Sequence, residues 1–117
     1  MAVTPPIVAQ ISVKELEQVL KNISIEVQLV DVREPMEIEI CSLPGFKMFP
    51  LSEFPRWSAT INTSLDPNKE TLVLCHHGVR SAQMCQWLLT QGFIQVKNIV
   101  GGIEAYSSMV DPSVPRY

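Results

Sequence analysis

Short apolar runs alternate along this chain with longer stretches in which apolar residues recur every three or four positions. The short runs predict β-strands at residues 7–11, 27–32, 46–51, 71–74 and 96–100. The periodic stretches predict helices at 13–21, from about 35, from about 52, at 79–91 and at 103–109. This alternation predicts an α/β fold, with a mainly parallel central sheet and helices on both of its faces.

Local signals mark where several of these elements begin and end. Ser12 and Glu15 have the spacing of a capping box, in which each side chain accepts a hydrogen bond from a free backbone N–H at the helix start. Gly92 suits the left-handed position just after a helix. Pro5 and Pro6 predict an extended backbone before the first strand.

The size of the chain favours one domain. It has 117 residues, of which 46% are apolar, and this is enough to form one hydrophobic core. We therefore expect a single domain over residues 1–117, with its core between about 8 and 109. Residues 110–117 include Pro112 and Pro115 and show no periodicity, so we expect them to form a strap on the surface.

Charge and composition exclude several classes of function. The formal net charge of −3 and the lack of a basic cluster argue against binding to nucleic acid. No apolar run approaches the roughly 20 residues of a membrane span, and residues 1–10 do not resemble a secretory signal. We therefore expect a cytoplasmic protein that binds no membrane, and its size favours a monomer.

Cysteine and histidine usage bears on the compartment and on metal binding. Cys41, Cys75 and Cys85 cannot all pair within one chain, which indicates free thiols in a reducing compartment. The sequence contains no CxxC pair and no cysteine–histidine set at the spacing of a zinc site. His76 and His77 are adjacent, and adjacent side chains point in different directions on most backbones. The sequence therefore predicts no metal site and no cofactor.

The strongest candidate for chemistry is Cys75, which follows the apolar run 72–74 and precedes the helical stretch that starts at Val79. Its thiol would lie at the carboxyl end of a strand, where open α/β sheets bind their ligands. Free N–H groups and the positive end of the following helix would favour the thiolate, the nucleophilic form of cysteine. A buried, inert cysteine is the alternative. The polar, glycine-containing loop after Cys75 favours the functional interpretation.

Five motifs resemble those of the single-domain rhodanese-like proteins, and their order and spacing agree with that family from about Val13 to Tyr106. The motifs are Leu29-Val30-Asp31-Val32-Arg33-Glu34, Leu43-Pro44-Gly45, Cys75-x-x-Gly78-x-Arg80-Ser81, Gln91-Gly92-Phe93 and Gly101-Gly102-Ile103. The resemblance implies a sulfurtransferase. In this family the active-site cysteine accepts sulfur from a donor, holds it as a persulfide, and passes it to an acceptor such as cyanide, a thiol or a protein.

The resemblance also implies roles for particular residues. The catalytic cysteine would be Cys75. The loop that cradles the anionic outer sulfur would consist of His76, His77, Gly78, Val79, Arg80 and Ser81. Backbone N–H groups of this loop would form an anion-binding nest. Gly78 would supply the positive φ or the close approach that the loop requires.

Loop length separates this interpretation from a related one. Cell-cycle-type dual-specificity phosphatases and some arsenate reductases use the same fold and loop, and those phosphatases place five residues between cysteine and arginine. Here four residues separate Cys75 from Arg80. A tighter loop suits a single sulfur atom better than a tetrahedral oxyanion, so sulfur transfer is favoured. A non-catalytic binding module is a third hypothesis, which the presence of Cys75 disfavours.

Charged residues near this loop are expected to support the site. Arg80 either aims at the bound sulfur or turns away to pair with Asp31 or Glu37. The second arrangement is favoured because pairing is the usual way to bury an arginine. Arg33 either contacts an incoming donor or is a solvated charge, and the sequence favours neither.

Departures from the family bear on the sulfur donor. Thiosulfate-using members often carry basic side chains beside the cysteine and near the position of Glu37. Here His76 and His77 would line the mouth and be mostly neutral at pH 7. The acid at position 37 would repel thiosulfate, so a protein-bound persulfide is at least as good a candidate donor. Cys41 could lie near the site, whereas Cys85 is expected in the core.

Overall fold

The structure, a computed structural model, describes residues 7–117. Its strands are β1 (Ala9–Ile11), β2 (Val27–Asp31), β3 (Lys47–Met48), β4 (Glu70–Leu74) and β5 (Val96–Ile99). They form one sheet in the order β1-β5-β4-β2-β3, in which every described pair is parallel. The predicted α/β fold with a mainly parallel sheet is therefore confirmed. Pro5 and Pro6, with their predicted extended backbone, lie outside the described residues.

Within residues 7–117, six α-helices connect and follow the strands. They are α1 (Val13–Lys21), α2 (Pro35–Ile40), α3 (Phe54–Trp57), α4 (Ile61–Ser64), α5 (Val79–Thr90) and α6 (Gly102–Met109). The predicted capping box starts α1, because the Glu15 N–H donates to Ser12 Oγ and the Ser12 N–H donates to Glu15 Oε1, each at 3.1 Å. Gly92 follows α5 with φ +94°, as predicted.

Two predicted elements differ from the structure. The strand expected over 46–51 is limited to Lys47–Met48, since Pro50 has no N–H with which to continue a ladder. The helix expected from residue 52 is divided into α3 and α4, with 3₁₀ turns at Leu51–Glu53 and Ser58–Thr60. Trp57 anchors this segment because its indole N–H donates to the Pro50 carbonyl at 2.8 Å.

The core lies on both faces of the sheet. Along β4, Leu72 and Leu74 pack into a cluster with α1 and α6, whereas Val73 packs into the opposite cluster with α5. All three side chains are fully buried. A strand that is covered on both faces typically has a continuous run of apolar residues, and residues 72–74 have this pattern.

The C-terminal tail returns across α6 to the end of the sheet where β4 stops. Val114 is buried, and its carbonyl accepts a hydrogen bond from Ser107 Oγ at 2.6 Å. Arg116 forms an ion pair with Glu104, and Tyr117 reaches the loop after β4. Among residues 7–117, no helix is long and apolar enough to cross a membrane.

Candidate active site

Cys75 lies directly after β4, at the carboxyl end of the sheet, and is only 1% exposed. β4 is the middle strand, with β5 on one side and β2 on the other. The Val32 N–H donates to the Leu74 carbonyl at 3.0 Å, which extends the pairing of β2 and β4 to the edge of the loop. The thiol therefore lies at the end of the central strand, where the backbone is fixed by pairing on both sides.

Two groups of the described residues lie within hydrogen-bond distance of the Cys75 sulfur. The Gly78 N–H donates to Cys75 Sγ at 3.0 Å, and Ser81 Oγ lies 3.2 Å from the same atom. Gly78 has φ +98°, a conformation that L side chains rarely adopt, and a Cβ there would lie 3.1 Å from the Gly101 nitrogen. Glycine at this position therefore turns the backbone N–H toward the sulfur immediately before α5 begins at Val79.

The start of α6 binds the backbone carbonyls of the loop that follows β4. The N–H of Ile103 donates to the Cys75 carbonyl at 3.0 Å, and the N–H of Glu104 donates to the His76 carbonyl at 3.1 Å. Gly102 has φ +62°, and a Cβ there would lie 2.4 Å from both carbonyl oxygens. Only glycine permits this close approach of α6 to the cysteine loop. The Gly101-Gly102 motif thus serves the site as well as the turn.

A buried polar chain connects the loop to β5. Ser81 Oγ lies 2.5 Å from Asn98 Oδ1, and Asn98 Nδ2 donates to the Gly78 carbonyl at 3.0 Å. Sequence reasoning missed Asn98. The available signal was an amide side chain inside a predicted strand, since asparagine is depleted in strands.

Arg80 faces Glu37 and not the sulfur. Its Nη1 and Nη2 lie 2.6 and 2.9 Å from the two carboxylate oxygens, in a bidentate pair. The Arg80 hydrogen bonds lower the pKa of Glu37 to about 2, against the opposing effect of burial. Of the arrangements considered for Arg80, the structure has the bracing pair with Glu37. Arg80 balances the charge of Glu37, which weakens the repulsion of thiosulfate expected from this residue.

Arg33 and Asp31 form a buried ion pair beside the loop. Arg33 is 0% exposed, and its Nη2 lies 2.7 Å from Asp31 Oδ2. The same Nη2 donates to the Cys41 carbonyl at 2.9 Å. Burial opposes the charge of Arg33, but the hydrogen bonds that Arg33 donates to Asp31 and Tyr117 raise its pKa overall. Both hypotheses for Arg33, a donor contact and a solvated charge, are therefore wrong. Full burial excludes each of them.

Aromatic rings stack over the mouth of the site. The His76 ring lies between His77, at a centroid distance of 3.9 Å, and Tyr117, at 3.8 Å. Burial, followed by the charge of His77, lowers the pKa of His76. The Tyr117 hydroxyl donates to Glu37 Oε2 at 2.7 Å. No sequence pattern pointed to Tyr117, because the tail has no periodicity.

The remaining residues of the predicted loop differ in exposure and in whether their side chains face the sulfur. His77 is exposed beside the mouth. The Val79 side chain is 67% exposed, so this residue contributes the first backbone position of α5. Ser81 is fully buried, and its hydroxyl faces the sulfur.

The two other cysteines are buried. Cys85 is 0% exposed, and burial followed by the charge of Cys75 raises its pKa to about 12. It lies in the core, as predicted. Cys41 is 7% exposed, and its Sγ lies 3.9 Å from Arg33 Nη1. Cys75 is therefore the cysteine placed at the end of a strand against an N–H donor.

One group of side chains near the mouth has metal-binding atom types. Ligand atoms of His76, His77 and Glu104 lie within 4.8 Å of one another. The two imidazole planes are 27° apart and stacked, so their in-plane lone pairs do not converge on one point. Glu104 is also paired with Arg116. A metal ion would therefore require these side chains to rearrange.

Comparisons with known proteins agree with this architecture. The family model described as the rhodanese-like domain matches residues 12–109. The chain is 54% identical over 112 residues to the rhodanese-like/PpiC domain-containing protein 12, chloroplastic, of Arabidopsis thaliana, covering 94% of this chain and 38% of that protein. It is 35% identical over 83 residues to a sulfurtransferase of Allochromatium vinosum, covering 70% of this chain and 73% of that protein.

A solved structure supports the same assignment. The rhodanese-like domain protein from Staphylococcus aureus superposes with a TM-score of 0.73 at 30% identity, over 93% of this chain and 98% of that one. The chain spans less than two-fifths of the length of the Arabidopsis relative. The match over residues 12–109 nevertheless covers most of this chain, from the start of α1 to the end of α6. The chain therefore belongs to the rhodanese-like domain family.

Proposed function

We propose that this domain is a sulfurtransferase or sulfur carrier that forms a persulfide on Cys75. The observation that carries the proposal is the hydrogen bond from the Gly78 N–H to Cys75 Sγ, 3.0 Å long, at the carboxyl end of β4. A fixed donor at that point stabilises negative charge on sulfur. Relatives of this domain that are named sulfurtransferases support the same reaction class.

The reaction has two displacements at sulfur. The Cys75 thiolate attacks the transferable sulfur of a donor, an S–S bond forms, and the donor's remainder leaves with the electron pair of the broken bond. An acceptor such as cyanide, a thiol or a protein thiol then attacks the outer sulfur. The Sγ–S bond breaks, and its electron pair stays on Cys75, which leaves as a thiolate.

The loop from His76 to Ser81 acts in this scheme mainly through its backbone. Gly78 provides the N–H that reaches the sulfur, and α6 fixes the loop carbonyls from behind. Arg80 braces the loop through Glu37. His76 and His77 border the route by which a donor or acceptor approaches.

The charges around the site bear on the donor. Three arginines at this end of the sheet each face a carboxylate: Arg33–Asp31, Arg80–Glu37 and Arg116–Glu104. Paired charges produce little net positive potential, so a thiosulfate dianion gains little attraction. A protein-bound persulfide does not depend on such attraction and is the favoured donor. Thiosulfate remains a chemically competent alternative.

The Arg80 pair also argues against phosphatase or arsenate reductase chemistry on this scaffold. An arginine that clamps an oxyanion must present its guanidinium to the substrate. Here both terminal nitrogens of Arg80 are bound to Glu37. With only four residues between Cys75 and Arg80, the loop is suited to one added sulfur atom.

A reducing compartment is part of the proposal, because Cys41, Cys75 and Cys85 are all free thiols. We place the protein in the cytoplasm. The relative from Arabidopsis is chloroplastic by name, so a plastid is the alternative. We further propose that residues 1–117 form a single domain that acts as a monomer, binds no nucleic acid, membrane or cofactor, and takes its partners from sulfur donors and acceptors.

Turnover of cyanide to thiocyanate tests the proposal. The protein is supplied with thiosulfate in one series, and with a cysteine desulfurase plus cysteine in another. Thiocyanate formation that Cys75→Ser abolishes and Cys85→Ala retains is the expected result. Hydrolysis of an aryl phosphate, with no thiocyanate from either donor, would overturn the proposal in favour of phosphatase chemistry.

A further inference from the structure

The hydrogen-bonded series Cys75–Ser81–Asn98–Gly78 has a fixed hydrogen-bond direction. The Gly78 carbonyl can only accept a hydrogen bond, and it lies 3.0 Å from the Asn98 amide. The amide nitrogen must therefore face Gly78, which turns Asn98 Oδ1 toward Ser81. This orientation follows from the chemistry of the carbonyl.

The orientation of Asn98 determines that of the Ser81 hydroxyl. Oδ1 is also only an acceptor, and it lies 2.5 Å from Ser81 Oγ. The single hydroxyl proton of Ser81 must therefore point to Asn98. A lone pair of Ser81 Oγ then faces Cys75 Sγ, 3.2 Å away. In this state Ser81 accepts a hydrogen bond from the Cys75 thiol and does not donate one to a thiolate.

The hydrogen-bonded groups of Ser81 and Asn98 are buried, so water does not readily replace them. Ser81 is 0% exposed and Asn98 is 6% exposed. Turning the Ser81 hydroxyl toward a thiolate would leave Asn98 Oδ1 without its donor in a buried site, which carries a substantial free-energy cost. The arrangement therefore opposes the stabilising effect of the Gly78 N–H on the Cys75 thiolate.

From this geometry we infer that Asn98 is a positioning residue: by fixing the direction of the Ser81 hydroxyl, it withholds a hydrogen bond from the Cys75 thiolate. A consequence for sulfur transfer rests on the proposed function. Transfer to cyanide converts the persulfide Cys75–S–S⁻ and CN⁻ into the Cys75 thiolate and SCN⁻, which balances atoms and charge. A thiolate that is a poorer leaving group departs more slowly. Asn98 would thus make the domain retain its sulfur.

The pH dependence of Cys75 alkylation tests the inference without any sulfur donor. Wild-type protein, Ser81→Ala, Asn98→Ala and the double variant are treated with iodoacetamide, and the Cys75 peptide is followed by mass spectrometry. Asn98→Ala frees the Ser81 hydroxyl to donate to the thiolate. A hydrogen bond to a charged group shifts such a midpoint by about one pH unit or more, here toward lower pH.

The double variant separates the inferred role from a loosened loop. We expect Asn98→Ala to lower the midpoint when Ser81 is present and to leave it unchanged when residue 81 is alanine. An equal shift in both backgrounds would assign the effect to the Gly78 contact and overturn the inference. Because alkylation requires no persulfide, failure of this test is distinct from failure of the proposed function.

The single variant Ser81→Ala provides a second test of the inference, which remains available if Asn98→Ala does not fold. If Ser81 accepts from the thiol, its removal leaves the midpoint unchanged or lowers it. If Ser81 donates to the thiolate, its removal raises the midpoint. A rise would overturn the inference.

Discussion

Removal of Asp31 isolates the energetic role of the buried ion pair beside the cysteine loop. Arg33 has no exposed surface, and the Asp31 carboxylate supplies its only charged hydrogen-bond partner among the contacts of the described residues. In Asp31→Ala the guanidinium keeps neutral acceptors, which include the Cys41 carbonyl and the Tyr117 hydroxyl. These neutral groups do not balance its charge.

The expected cost follows from burial. Breaking a buried pair by removal of one partner destabilises a protein by about 3–5 kcal/mol, since an uncompensated charge remains. A domain of this size has a total stability of about 5–15 kcal/mol, so the loss is a large fraction of it. It corresponds to a fall in Tm of about 20 °C. Replacing both partners in Asp31→Leu/Arg33→Met leaves no buried charge and should cost much less than Asp31→Ala alone.

Urea unfolding followed by circular dichroism measures these free energies. The exposed pair Glu53–Arg56 provides a matched control, with its arginine side chain 70% exposed, and Glu53→Ala should cost less than about 1 kcal/mol. A cost of Asp31→Ala below about 1 kcal/mol would refute the reasoning. So would a double variant whose cost equals the sum of the two single substitutions, because charge compensation would then be absent.

Three further predictions concern the mouth and the loop. Glu37→Gln should lower the free energy of unfolding by about 1–2 kcal/mol at pH 7, measured with urea. Because folding lowers the pKa of the Glu37 carboxyl from 4.5 to about 2, the difference in stability from wild type should fade as the pH drops from 4.5 toward 2. A difference that stays constant with pH would contradict this prediction. By the same assay, Gly102→Ala should lower the free energy of unfolding by about 3 kcal/mol and Gly92→Ala by only about 1 kcal/mol. The reason is that a Cβ at position 102 would meet two carbonyl oxygens, whereas a Cβ at position 92 would meet nothing within 4 Å. Equal losses would contradict this account. Tyr117→Ala should raise the pKa of His76, measured by NMR titration, because it exposes the ring, whereas Tyr117→Phe should leave it lowered; identical titrations would exclude the stacking effect.

The sequence was sufficient for the fold and for the placement of the thiol. Short continuous apolar runs and period-3.6 patterns report burial directly, and the strand-to-helix transition after Leu74 placed Cys75 at the end of β4. The segment after Met48 was less predictable. Its short 3₁₀ and α turns depend on tertiary contacts such as the Trp57–Pro50 hydrogen bond, which no local pattern encodes.

The side-chain partners at the site were only partly predictable. A pairing of Arg80 with an acid followed from the cost of burying a charge, but the choice of Glu37 depends on where α2 lies. Arg33 was misjudged because an arginine after a strand is usually solvated, whereas here Asp31, two residues earlier, folds back to bind it. Tyr117 reaches the site through a tail whose path depends on packing against α6.

The mass of the protein after exposure to a sulfur donor tests the persulfide on Cys75 most directly. Reduced protein is incubated with thiosulfate, or with a cysteine desulfurase plus cysteine, and the intact mass and the cysteine peptides are then measured. The account predicts a gain of about 32 Da, located on the Cys75 peptide, removed by cyanide and absent from Cys75→Ser. No gain from either donor, or a gain located on Cys41 or Cys85, would contradict it.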